Sequence, residues 1–521
     1  MQTAAAPVTN RVSPLPIPTC AEIRDWLVTN PNPPALVPIY REIMADAETP
    51  VSAFIRIANG TPGFILESVE GGERIARYSF IGADPFALIR LRDGHAEFSL
   101  NGETTNDTYT DPLAYLEAVL ARYRSESVPG VALPRFVGGA VGYLSYEAVR
   151  AFEPRVGSAA GPGLGYPDAE YMLVDSLLVF DNVSRTIKVV AHLNLGNTLD
   201  LETAYEAASA QIDLLVRKLR EPAAPLPSGG TPVSTAVEAR RKVNTDPLYY
   251  RSMVEQARED IAAGDIFQVV LSQRVDIPTP AHPFTLYRAL RTVNPSPYMF
   301  YLDYVEHQIV GASPELLVRV EDGVVTNHPI AGTRPRGAIP DQDEANAVEL
   351  LGDAKERAEH IMLVDLGRND VGRVSKPGSV HVPRMMEIER FSHVMHIVSN
   401  VEGQIRDDIS PLDALRACFP AGTVSGAPKV RAMEIIAELE VDRRGVYSGA
   451  VGYVSFNGTM DTCIALRTLV FRDGVASLQA GGGIVLDSTP DGEYAECFHK
   501  MRALVRAIEL AESIESAEAT R

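Results

Sequence analysis

Two glutamates near the end of the chain have a spacing that suits cation binding. Glu493 and Glu496 stand three positions apart in the segment DGEYAECFHK, residues 491–500. In a helix this spacing places both carboxylates on one face, where like charges repel each other. A positive partner is therefore expected nearby, although a charged line on a helix is more often a solvated face.

A second glutamate pair with the same spacing lies upstream. Glu356 and Glu359 occur in KERAEH, residues 355–360. If the two helices face each other, four carboxylates converge, and burying them without a cation is costly. Mg²⁺ suits this pattern because it takes one or two protein carboxylates and completes its shell with water and substrate oxygens. A di-iron centre is the competing interpretation, since Glu496 and His499 form one Glu-x-x-His, but it needs two such motifs in a four-helix bundle.

Helices must position both glutamate pairs. Thr489 is a candidate N-cap for the second helix, and Pro490 suits its first position. The apolar residues that follow share one helical face and are Tyr494, Cys497, Phe498, Met501, Leu504, Val505 and Ile508. For the upstream pair, a stripe of Ala358, Ile361 and Met362 predicts the helix.

Strands are predicted for much of the remaining chain. From about Ala53 to Val190, apolar runs alternate with turn signals, as in FILES, FALIRL, AVGYLSYEAV, YMLVDSLLVFDN and TIKVVAHL. Further on, LYYRSMVEQAREDIAAGD predicts a helix ending near Gly264, followed by strands at IFQVVLSQRVDI, YMFYLDY, HQIVGAS and LLVRVEDGVV. A meander over residues 449–485 has Asn457-Gly458 and Asp473-Gly474 as hairpin turns. Strands and helices without regular alternation predict an α+β fold.

Composition narrows the class of protein. The chain has 521 residues and a net charge of −20, and it has no basic block, so nucleic acid is not expected as a partner. No stretch approaches the ~20 apolar residues of a membrane span, and no signal peptide is evident, which predicts a soluble cytoplasmic protein. The cysteines lack Cys-x-x-Cys spacing, which predicts neither disulfides nor a zinc site; they are Cys20, Cys418, Cys463 and Cys497. The Pro-, Gly- and Ser-rich segment 220–243 predicts a linker.

Three polar or flexible positions have two interpretations each. Arg467 ends the strand-like TCIALRT; a lone arginine is usually at the surface, but its apolar flanks suit an inward guanidinium that binds a carboxylate. His396, taken alone, is more often a core histidine than a functional one. The run AGGGIV, residues 480–485, lacks the Gly-x-Gly-x-x-Gly spacing and indicates either a bending strand or a ligand contact.

Six segments occur in a characteristic order: PIAGTRPRG, KERAEHIMLVDLGRND, FSHVMHIVSNVEG, FPAGTVSGAPK, YSGAVGYVSFNG and GEYAECFHK. Together they resemble the motifs of chorismate-utilising enzymes, and among these anthranilate synthase component I. The resemblance covers about residues 245–510 strongly and 50–190 more loosely. It implies a two-part α+β architecture with large mixed or antiparallel sheets packed with helices. It also implies a Mg²⁺-dependent lyase that converts chorismate and ammonia to anthranilate and pyruvate in tryptophan biosynthesis.

The same resemblance implies domain limits. Residues 1–50 would be an N-terminal arm and the start of the regulatory part, and residues 51–219 the regulatory domain. The linker at 220–243 would lead to a chorismate-binding catalytic domain at 244–515.

The resemblance also implies individual roles. Glu359 and Glu496 would bind the metal, with Glu356 and Glu493 next to them. The catalytic residues would be Glu315 as general acid, His396 in pyruvate elimination, and Thr423. The chorismate contacts would be Gly332, Thr333, Tyr447, Arg467, Gly481, Gly482, Gly483 and Lys500.

Two further segments, LES at 66–68 and NPSPYMFY at 294–301, resemble a tryptophan-binding site. Its residues would be Glu67, Ser68, Pro297, Tyr298, Met299, Val451 and Tyr453. L-tryptophan is therefore expected as a feedback inhibitor. No cysteine lies in a Gly-x-Cys-x-Gly elbow, so ammonia from glutamine requires a separate glutamine amidotransferase subunit. The resemblance implies that this subunit is component II and that the assembly is a heterotetramer.

Two positions select among the reactions of these enzymes. Isochorismate and salicylate synthases carry a water-activating lysine where this chain has Gln268, which favours ammonia as the nucleophile. Aminodeoxychorismate synthases carry a lysine at the position of Ala331, which favours anthranilate. The alternatives are another ammonia-using chorismate enzyme, an aminodeoxychorismate or aminodeoxyisochorismate synthase, and a non-catalytic tryptophan-sensing subunit.

Overall fold

The computed structural model describes residues 15–30, 32–58, 60–68, 77–196, 200–222, 229–230, 235–391 and 394–519. The first 14 residues of the predicted arm lie outside the described residues, as do 223–228 and 231–234 of the predicted linker. Among the described helices, none is long and apolar enough to cross a membrane.

The described chain up to residue 222 contains ten strands and five helices. The strands are β1 (Leu36–Met44), β2 (Gly63–Glu67), β3 (Tyr78–Ala83), β4 (Ala87–Arg92), β5 (His95–Leu100), β6 (Glu103–Thr108), β7 (Gly139–Leu144), β8 (Ala169–Val174), β9 (Ser176–Asp181) and β10 (Thr186–Asn194). The helices are α1 (Cys20–Thr29), α2 (Pro50–Ala58), α3 (Pro112–Leu120), α4 (Val149–Phe152) and α5 (Leu201–Arg220).

The described chain after residue 235 contains fourteen strands and eight helices. The strands are β11 (Lys242–Val243), β12 (Gln268–Pro278), β13 (Tyr298–Asp303), β14 (Gln308–Ser313), β15 (Leu316–Glu321), β16 (Val324–Asn327), β17 (Ile330–Pro335), β18 (His381–Arg390), β19 (Val394–Gln404), β20 (Gly426–Ala427), β21 (Ala450–Ser455), β22 (Met460–Ile464), β23 (Thr468–Arg472) and β24 (Val475–Ile484). The helices are α6 (Val237–Arg240), α7 (Pro247–Ala263), α8 (Pro283–Val293), α9 (Pro340–Gly352), α10 (Ala354–Gly372), α11 (Pro411–Cys418), α12 (Lys429–Leu439) and α13 (Pro490–Ala519).

The strands form two sheets of 12 strands each. The first has the order β1-β10-β9-β3-β2-β13-β14-β23-β24-β12-β11, with β20 also paired to β12. The second has the order β17-β19-β16-β15-β22-β21-β7-β8-β4-β5-β6, with β18 also paired to β19. The pairings between these strands are antiparallel. The predicted α+β class with large antiparallel sheets is therefore confirmed.

Both sheets combine strands from either side of the linker. In the first sheet β2 pairs with β13, and in the second β7 pairs with β21. The end of the linker is also tied down, since Arg240 in α6 pairs with Glu512 of α13 at 2.7 Å. The predicted domain limits stay a prediction, because neither sheet is divided at the linker.

The two sheets pack face to face with helices outside them. Aromatic side chains from both fill the space between, and the rings of Phe80 in β3 and Tyr453 in β21 lie 5.7 Å apart. On the outer faces, α13 packs on β24, and α10 packs on β17 and β19. The layers of the fold are thus helix, sheet, sheet and helix. Side chains of the two sheets meet in the space between the sheets.

The helix that carries Glu493 and Glu496 follows the prediction. The Thr489 hydroxyl accepts a hydrogen bond from the backbone N–H of Gly492 at 3.2 Å. The core side of α13 includes Cys497, Met501, Leu504 and Ile508, all buried. The cap and the apolar stripe therefore fix which face of the helix turns outward.

The upstream helix is confirmed, but its predicted buried stripe is wrong. Ile361 is exposed, and the buried residues of α10 include His360, Leu363 and Val364 instead. The reason is a polar contact, because the Nε2 atom of His360 lies 2.7 Å from the Ser399 hydroxyl on β19. This bond rotates the helix so that His360, not Ile361, faces the sheet.

Three other local predictions need correction. Ala53 begins no strand but lies in α2. AVGYLSYEAV is a strand only as far as Leu144, after which the amide of Tyr146 bonds to the carbonyl of Gly445 and the chain turns into helical structure. The predicted meander is split between the sheets, with β21 and β22 in the second and β23 and β24 in the first.

The predicted hairpin turns are present. Asp473 and Gly474 both have positive φ (52° and 74°), as a two-residue type I′ turn requires, and Gly458 has φ 86°. The predicted end of α7 is also confirmed by a left-handed Gly264.

Candidate active site

The chain crosses from one sheet to the other twice at the same place. One crossing, between β14 and β15, carries Glu315, and the other, between β22 and β23, carries Arg467. The amide of Ala312 donates to the carbonyl of Arg467 at 3.1 Å, and the amide of Ile464 donates to the carbonyl of Glu315 at 3.1 Å. These bonds hold the crossings side by side, so both polar side chains reach one cavity.

That cavity has a volume of about 290 Å³ and is bordered by both sheets, α10 and α13. Ten residues predicted from the sequence line it: Gln268, Glu315, Thr333, Glu359, Thr423, Tyr447, Arg467, Gly481, Gly483 and Lys500. The structure thus brings together residues that are more than 200 positions apart in the chain.

Glu315 is placed as a proton donor. Its carboxyl group is buried and accepts a hydrogen bond from the Thr423 hydroxyl at 3.2 Å. Burial raises the pKa of Glu315 to about 8, against the opposing effect of that hydrogen bond. The group is therefore protonated at neutral pH, as a general acid requires.

Arg467 presents a cation that has no carboxylate partner among the described residues. Its Nη1 atom lies 3.4 Å from Oδ1 of Asn294, and burial lowers its pKa. The backbone has φ 47°, an uncommon left-handed conformation for a residue with a side chain. The buried position of Arg467 in the cavity lining supports the inward orientation of its side chain. The guanidinium can therefore bind a carboxylate of a ligand.

The four glutamates do not form one cluster. No three His, Cys, Asp or Glu side chains within the described ranges converge on a possible ion position, so the expected four-carboxylate cluster is wrong. Two of the glutamates accept hydrogen bonds from protein side chains: Glu356 accepts from Arg334 at 3.3 Å, and Glu493 accepts from Ser488 at 2.7 Å. Burial also raises the pKa of Glu493.

Glu359 and Glu496 retain the character of cation ligands. Glu359 lines the cavity and makes no hydrogen bond or ion pair with any residue that the structure describes. The Glu496 carboxylate forms an ion pair with the Lys500 Nζ atom at 3.8 Å, and it also lies 3.8 Å from the Nδ1 atom of His499. A Glu359 carboxylate without a partner among the described residues and a Glu496 carboxylate held by a long ion pair fit Mg²⁺, which needs only one or two carboxylates from the protein.

The first turns of α10 and α13 approach each other beside these glutamates. Lys355, near the start of α10, is close enough to the Glu493 carboxylate to oppose the rise in its pKa. Lys500, one turn after Glu496, donates to the carbonyl of Gly481 at 2.9 Å. Residues of both helices, Glu359 and Lys500, line one cavity, and the direct facing of the two helices stays a prediction.

His396 is not among the residues that line the cavity, but it adjoins its strand partner Thr333, which lines it. Its Nδ1 atom is 2.8 Å from the carbonyl of Gly332 and 3.1 Å from the hydroxyl of Thr333, its strand partner. Because a carbonyl only accepts, Nδ1 carries the proton and Nε2 is the acceptor. Burial lowers the pKa of His396, and nearby Arg467 lowers it further, so the ring is neutral.

Strand alternation explains the glycine run. Gln479, Gly481 and Gly483 share the cavity face of β24, whereas a Cβ atom at Gly482 would lie 2.2 Å from the Glu493 carboxylate on α13. Gln479 was missed from the sequence, although it stands two positions before Gly481 and its face was predictable. Gly332 has φ 67°, which explains its residue type.

The two positions expected to select the nucleophile differ in placement. Gln268 lines the cavity, and its amide nitrogen lies 2.6 Å from where a Cβ atom of Gly483 would be. Ala331 is buried in β17, and it is not among the residues that line the cavity.

A second, smaller cavity of about 50 Å³ lies between the two sheets. All seven residues expected around tryptophan line it: Glu67, Ser68, Pro297, Tyr298, Met299, Val451 and Tyr453. Strand pairing is the cause, because Met299 in β13 is the register partner of Glu67 in β2. Glu67 accepts hydrogen bonds from Tyr287 and from Arg291.

Sequence reasoning missed a polar group in this second cavity. Asp461 accepts from Arg319 at 3.0 Å and from the Tyr298 hydroxyl at 3.2 Å, and Arg135 lies 3.5 Å from the same carboxylate. These residues come from three distant parts of the chain, so no local pattern indicates their contact. Two arginines therefore flank one aspartate at this wall of the cavity.

The family of chorismate binding enzymes matches residues 62–506, most of the chain. This chain belongs to the chorismate-binding enzymes. Relatives of this chorismate-binding enzyme include anthranilate synthase component 1 of Pseudomonas aeruginosa, which is 48% identical over 478 residues, 91% of this chain and 96% of the relative. The protein of the same name from Acetivibrio thermocellus is 45% identical over 487 residues, 92% of this chain and 96% of the relative.

A solved structure gives the same relationship for the fold. The crystal structure of anthranilate synthase component I from Streptococcus pneumoniae matches with a TM-score of 0.73 and 37% identity. The match covers 89% of this chain and 99% of that protein.

Proposed function

We propose that this chorismate-binding enzyme is an anthranilate synthase component I, a cytoplasmic lyase that converts chorismate and ammonia to anthranilate and pyruvate. The single observation that carries the proposal is the cavity at the sheet crossings, where the uncompensated Arg467 guanidinium and the protonated Glu315 carboxyl meet. Chorismate has two carboxylates and a ring hydroxyl, so it needs both a cation and an acid. The names of the relatives support the same reaction.

The cavity supplies a binding role for each end of chorismate. Arg467 and Tyr447 would hold the enolpyruvyl carboxylate, since a guanidinium offers two parallel donors to a carboxylate. Thr333 and Gly481 would contact the ring, and Lys500 is held at that wall by its bond to Gly481. This orientation would place the ring hydroxyl toward Glu315.

The first chemical step would use Glu315 as an acid. As the nitrogen of ammonia bonds to the ring, the ring double bonds shift and the C–O bond to the hydroxyl breaks. Glu315 would give its proton to the departing oxygen, so that water leaves, and Thr423 would keep the carboxyl oriented.

The second step would remove pyruvate and make the ring aromatic. A ring proton must be lost, the C–O bond to the enolpyruvyl group must break, and a proton must reach the enolpyruvyl carbon. The unprotonated Nε2 atom of His396 is the proposed acceptor, with the tautomer fixed by the carbonyl of Gly332.

The metal proposal concerns Glu359 and Glu496, which would hold Mg²⁺. When bound, the ion supplies positive charge for the ring carboxylate of chorismate. The protein's own contribution is to leave the Glu359 carboxylate at the cavity wall without a partner among the described residues, and to hold the Glu496 carboxylate 3.8 Å from Lys500, which lines the same cavity.

Ammonia is the proposed nucleophile, and a glutamine amidotransferase subunit its proposed source. Gln268 lines the cavity and is a neutral amide, which cannot activate water as a base. None of the four cysteines serves as a nucleophile for glutamine hydrolysis in this proposal, because three are buried and burial raises the pKa of each of their thiols.

Tryptophan is proposed to bind in the smaller cavity and to inhibit the enzyme. Support comes from the geometry, since the seven residues of the resemblance surround one space between the sheets. The two guanidinium groups beside Asp461, those of Arg319 and Arg135, suit the carboxylate of an amino acid.

Product analysis tests the proposed function. The purified chain is incubated with chorismate, Mg²⁺ and ammonium chloride at pH 8, and the products are separated by liquid chromatography. Anthranilate is the expected product. An aminated product that retains its enolpyruvyl group as the end product, isochorismate, or unchanged chorismate would contradict the proposal.

A further inference from the structure

A third cavity, different from the proposed chorismate and tryptophan cavities, adjoins the chorismate cavity. Its volume is about 400 Å³, and it opens between the β8 side of the second sheet and β24 of the first. Tyr447 and Gln479 line both cavities. We call these two side chains the partition, because they separate the two cavities. The residues that contact the partition determine its position.

A buried ion pair lies next to the partition, and its arginine, Arg444, also lines the 400 Å³ cavity. The guanidinium of Arg444 donates to both carboxylate oxygens of Glu440, at 2.7 and 2.9 Å, and the two side chains are 1% and 3% exposed. Burial alone lowers the pKa of Arg444, but Glu440 outweighs it, and the pKa ends above its usual value. Arg444 is therefore charged at any pH at which the protein is folded.

The remaining donors of Arg444 reach the chorismate cavity wall. Its Nη1 atom donates to the carbonyl of Val424 and its Nη2 atom to the carbonyl of Val270, both at 2.7 Å. Both valines line the chorismate cavity, and Val424 directly follows Thr423. One guanidinium thus ties a loop and a strand of the cavity wall to the same point.

The ion pair also holds both partition side chains. The carbon of the Arg444 guanidinium lies 5.6 Å from the centre of the Tyr447 ring. Glu440 accepts from the amide and hydroxyl of Ser272 at 2.7 and 2.9 Å, and Gln479 donates to that hydroxyl at 2.9 Å. Arg444 is therefore connected to Tyr447 by direct contact, and to Gln479 through Glu440 and Ser272.

The backbone of Arg444 is fixed from the other side of the linker. The carboxylate of Glu147 accepts from the amides of Arg444 and Gly445 at 2.8 and 2.9 Å. Tyr146 places its ring 4.7 Å from the guanidinium. The surroundings of Arg444 therefore include residues from before and after the linker.

We propose that Arg444 is a positioning residue for chorismate binding, and that it acts through Tyr447, Gln479 and the Val424 loop. The inference rests on the proposed function, which places chorismate in this cavity. Buried ion pairs contribute little net stability compared with apolar packing, so a stability role alone does not account for a guanidinium that donates to Glu440 and also to the carbonyls of Val424 and Val270. Its fork geometry does, because only arginine offers parallel donors in fixed directions.

The direct test is Arg444→Lys, which keeps the charge and loses the fork. Chorismate KM is expected to rise about tenfold while the KM for ammonium stays within twofold, because ammonia is not held by the partition. Arg240→Lys is the matched control, since it breaks a similar pair with Glu512 far from the cavity. It should leave both KM values within twofold of wild type.

A second pair of variants covers the case in which Arg444→Lys does not fold. Ser272→Ala removes the link between Gln479 and Glu440 and is expected to raise chorismate KM about threefold. Its control, Ser375→Ala, removes an equally buried hydroxyl that bonds to the carbonyl of Val371, and should change nothing. An unchanged chorismate KM in folded Arg444→Lys, an equal rise for ammonium, or an unchanged KM in Ser272→Ala would each overturn the inference.

Calorimetric binding of chorismate with Mg²⁺ separates this inference from the proposed function. If wild type binds chorismate and forms no anthranilate, the proposed function fails, whereas a tenfold weaker Kd in Arg444→Lys still supports positioning. Equal Kd values in wild type and variant contradict positioning whatever the product is.

Discussion

The Nη1 atom of Arg467 lies 3.4 Å from the Oδ1 atom of Asn294. Arg467 lines the proposed chorismate cavity, and Asn294 begins the segment NPSPYMFY, whose residues Pro297 and Tyr298 line the proposed tryptophan cavity. One short segment therefore touches both ligand sites. A ligand that moves residues 297–299 can change the contact with Arg467. Because tryptophan is the proposed inhibitor, it should weaken the binding of chorismate, and linkage then requires chorismate to weaken the binding of tryptophan equally.

Feedback inhibition provides the first prediction. Ser68→Phe fills the smaller cavity and should raise the tryptophan concentration for half-inhibition by more than about tenfold, about 1.4 kcal/mol. Each variant is compared with its own uninhibited rate. Ser252→Phe, on an exposed position of α7, is the control and should retain the sensitivity of wild type. Equal sensitivity of Ser68→Phe and wild type would remove the site assignment.

The metal ligands provide the second prediction. Glu359→Gln and Glu496→Gln should each lower turnover by about 100-fold or more, because an amide cannot replace several kcal/mol of charge interaction. Thermal unfolding should change little, since the Glu359 carboxylate has no partner among the described residues and the ion pair of Glu496 with Lys500 is long and half exposed. Glu255→Gln, exposed on α7, is the control for charge alone. Near-normal rates at saturating Mg²⁺ would refute the assignment.

Nitrogen supply provides the third prediction. The isolated chain should use ammonium salts at alkaline pH, where more free ammonia is present, and should not use glutamine. Adding a glutaminase subunit should make glutamine a substrate. Anthranilate formation from glutamine by the rigorously purified single chain would show that the nitrogen assignment is wrong.

The role of His396 provides the fourth prediction. His396→Met should slow pyruvate elimination more than amination, so an aminated intermediate that still carries the enolpyruvyl group should accumulate. Chromatography of quenched reactions measures this intermediate. If both steps slow equally and no intermediate is seen, His396 has only its structural bonds to Gly332 and Thr333.

The pH dependence provides the fifth prediction. Burial raises the pKa of Glu315 to about 8, so the acid form is present below that pH and is lost as the pH rises through it. At a constant concentration of free ammonia, kcat should therefore fall above about pH 8. Glu315→Gln should lower kcat by roughly 10²–10⁴-fold and remove this alkaline decline. A decline that persists in Glu315→Gln would assign it to another group.

The local parts of the fold and site could be predicted because their signals are local. The Thr489 cap and the apolar stripe placed Glu493 and Glu496 correctly on α13. The stripe on α10 was wrong because a buried His360 bonds to Ser399, and hydrophobic periodicity does not register such a polar contact. The cluster of four carboxylates was wrong because Arg334 already holds Glu356.

The non-local parts could not be predicted from the residues alone. The pairing of β2 with β13 joins segments more than 200 positions apart, and no spacing rule indicates it. The two crossings that bring Glu315 and Arg467 together are likewise a property of the sheets. Arg444 stands in the charged run DRRG, which suggests a surface, and only the structure shows it buried among carbonyl groups.

Stoichiometry with labelled ammonia tests the central claim most directly. Purified chain, chorismate, Mg²⁺ and ¹⁵N-ammonium are incubated, and anthranilate and pyruvate are quantified by mass spectrometry. The proposed reaction should give one pyruvate for each anthranilate, with the ¹⁵N atom in the amino group on the ring. Chorismate consumed without labelled anthranilate, or an aminated product formed without pyruvate, would contradict it.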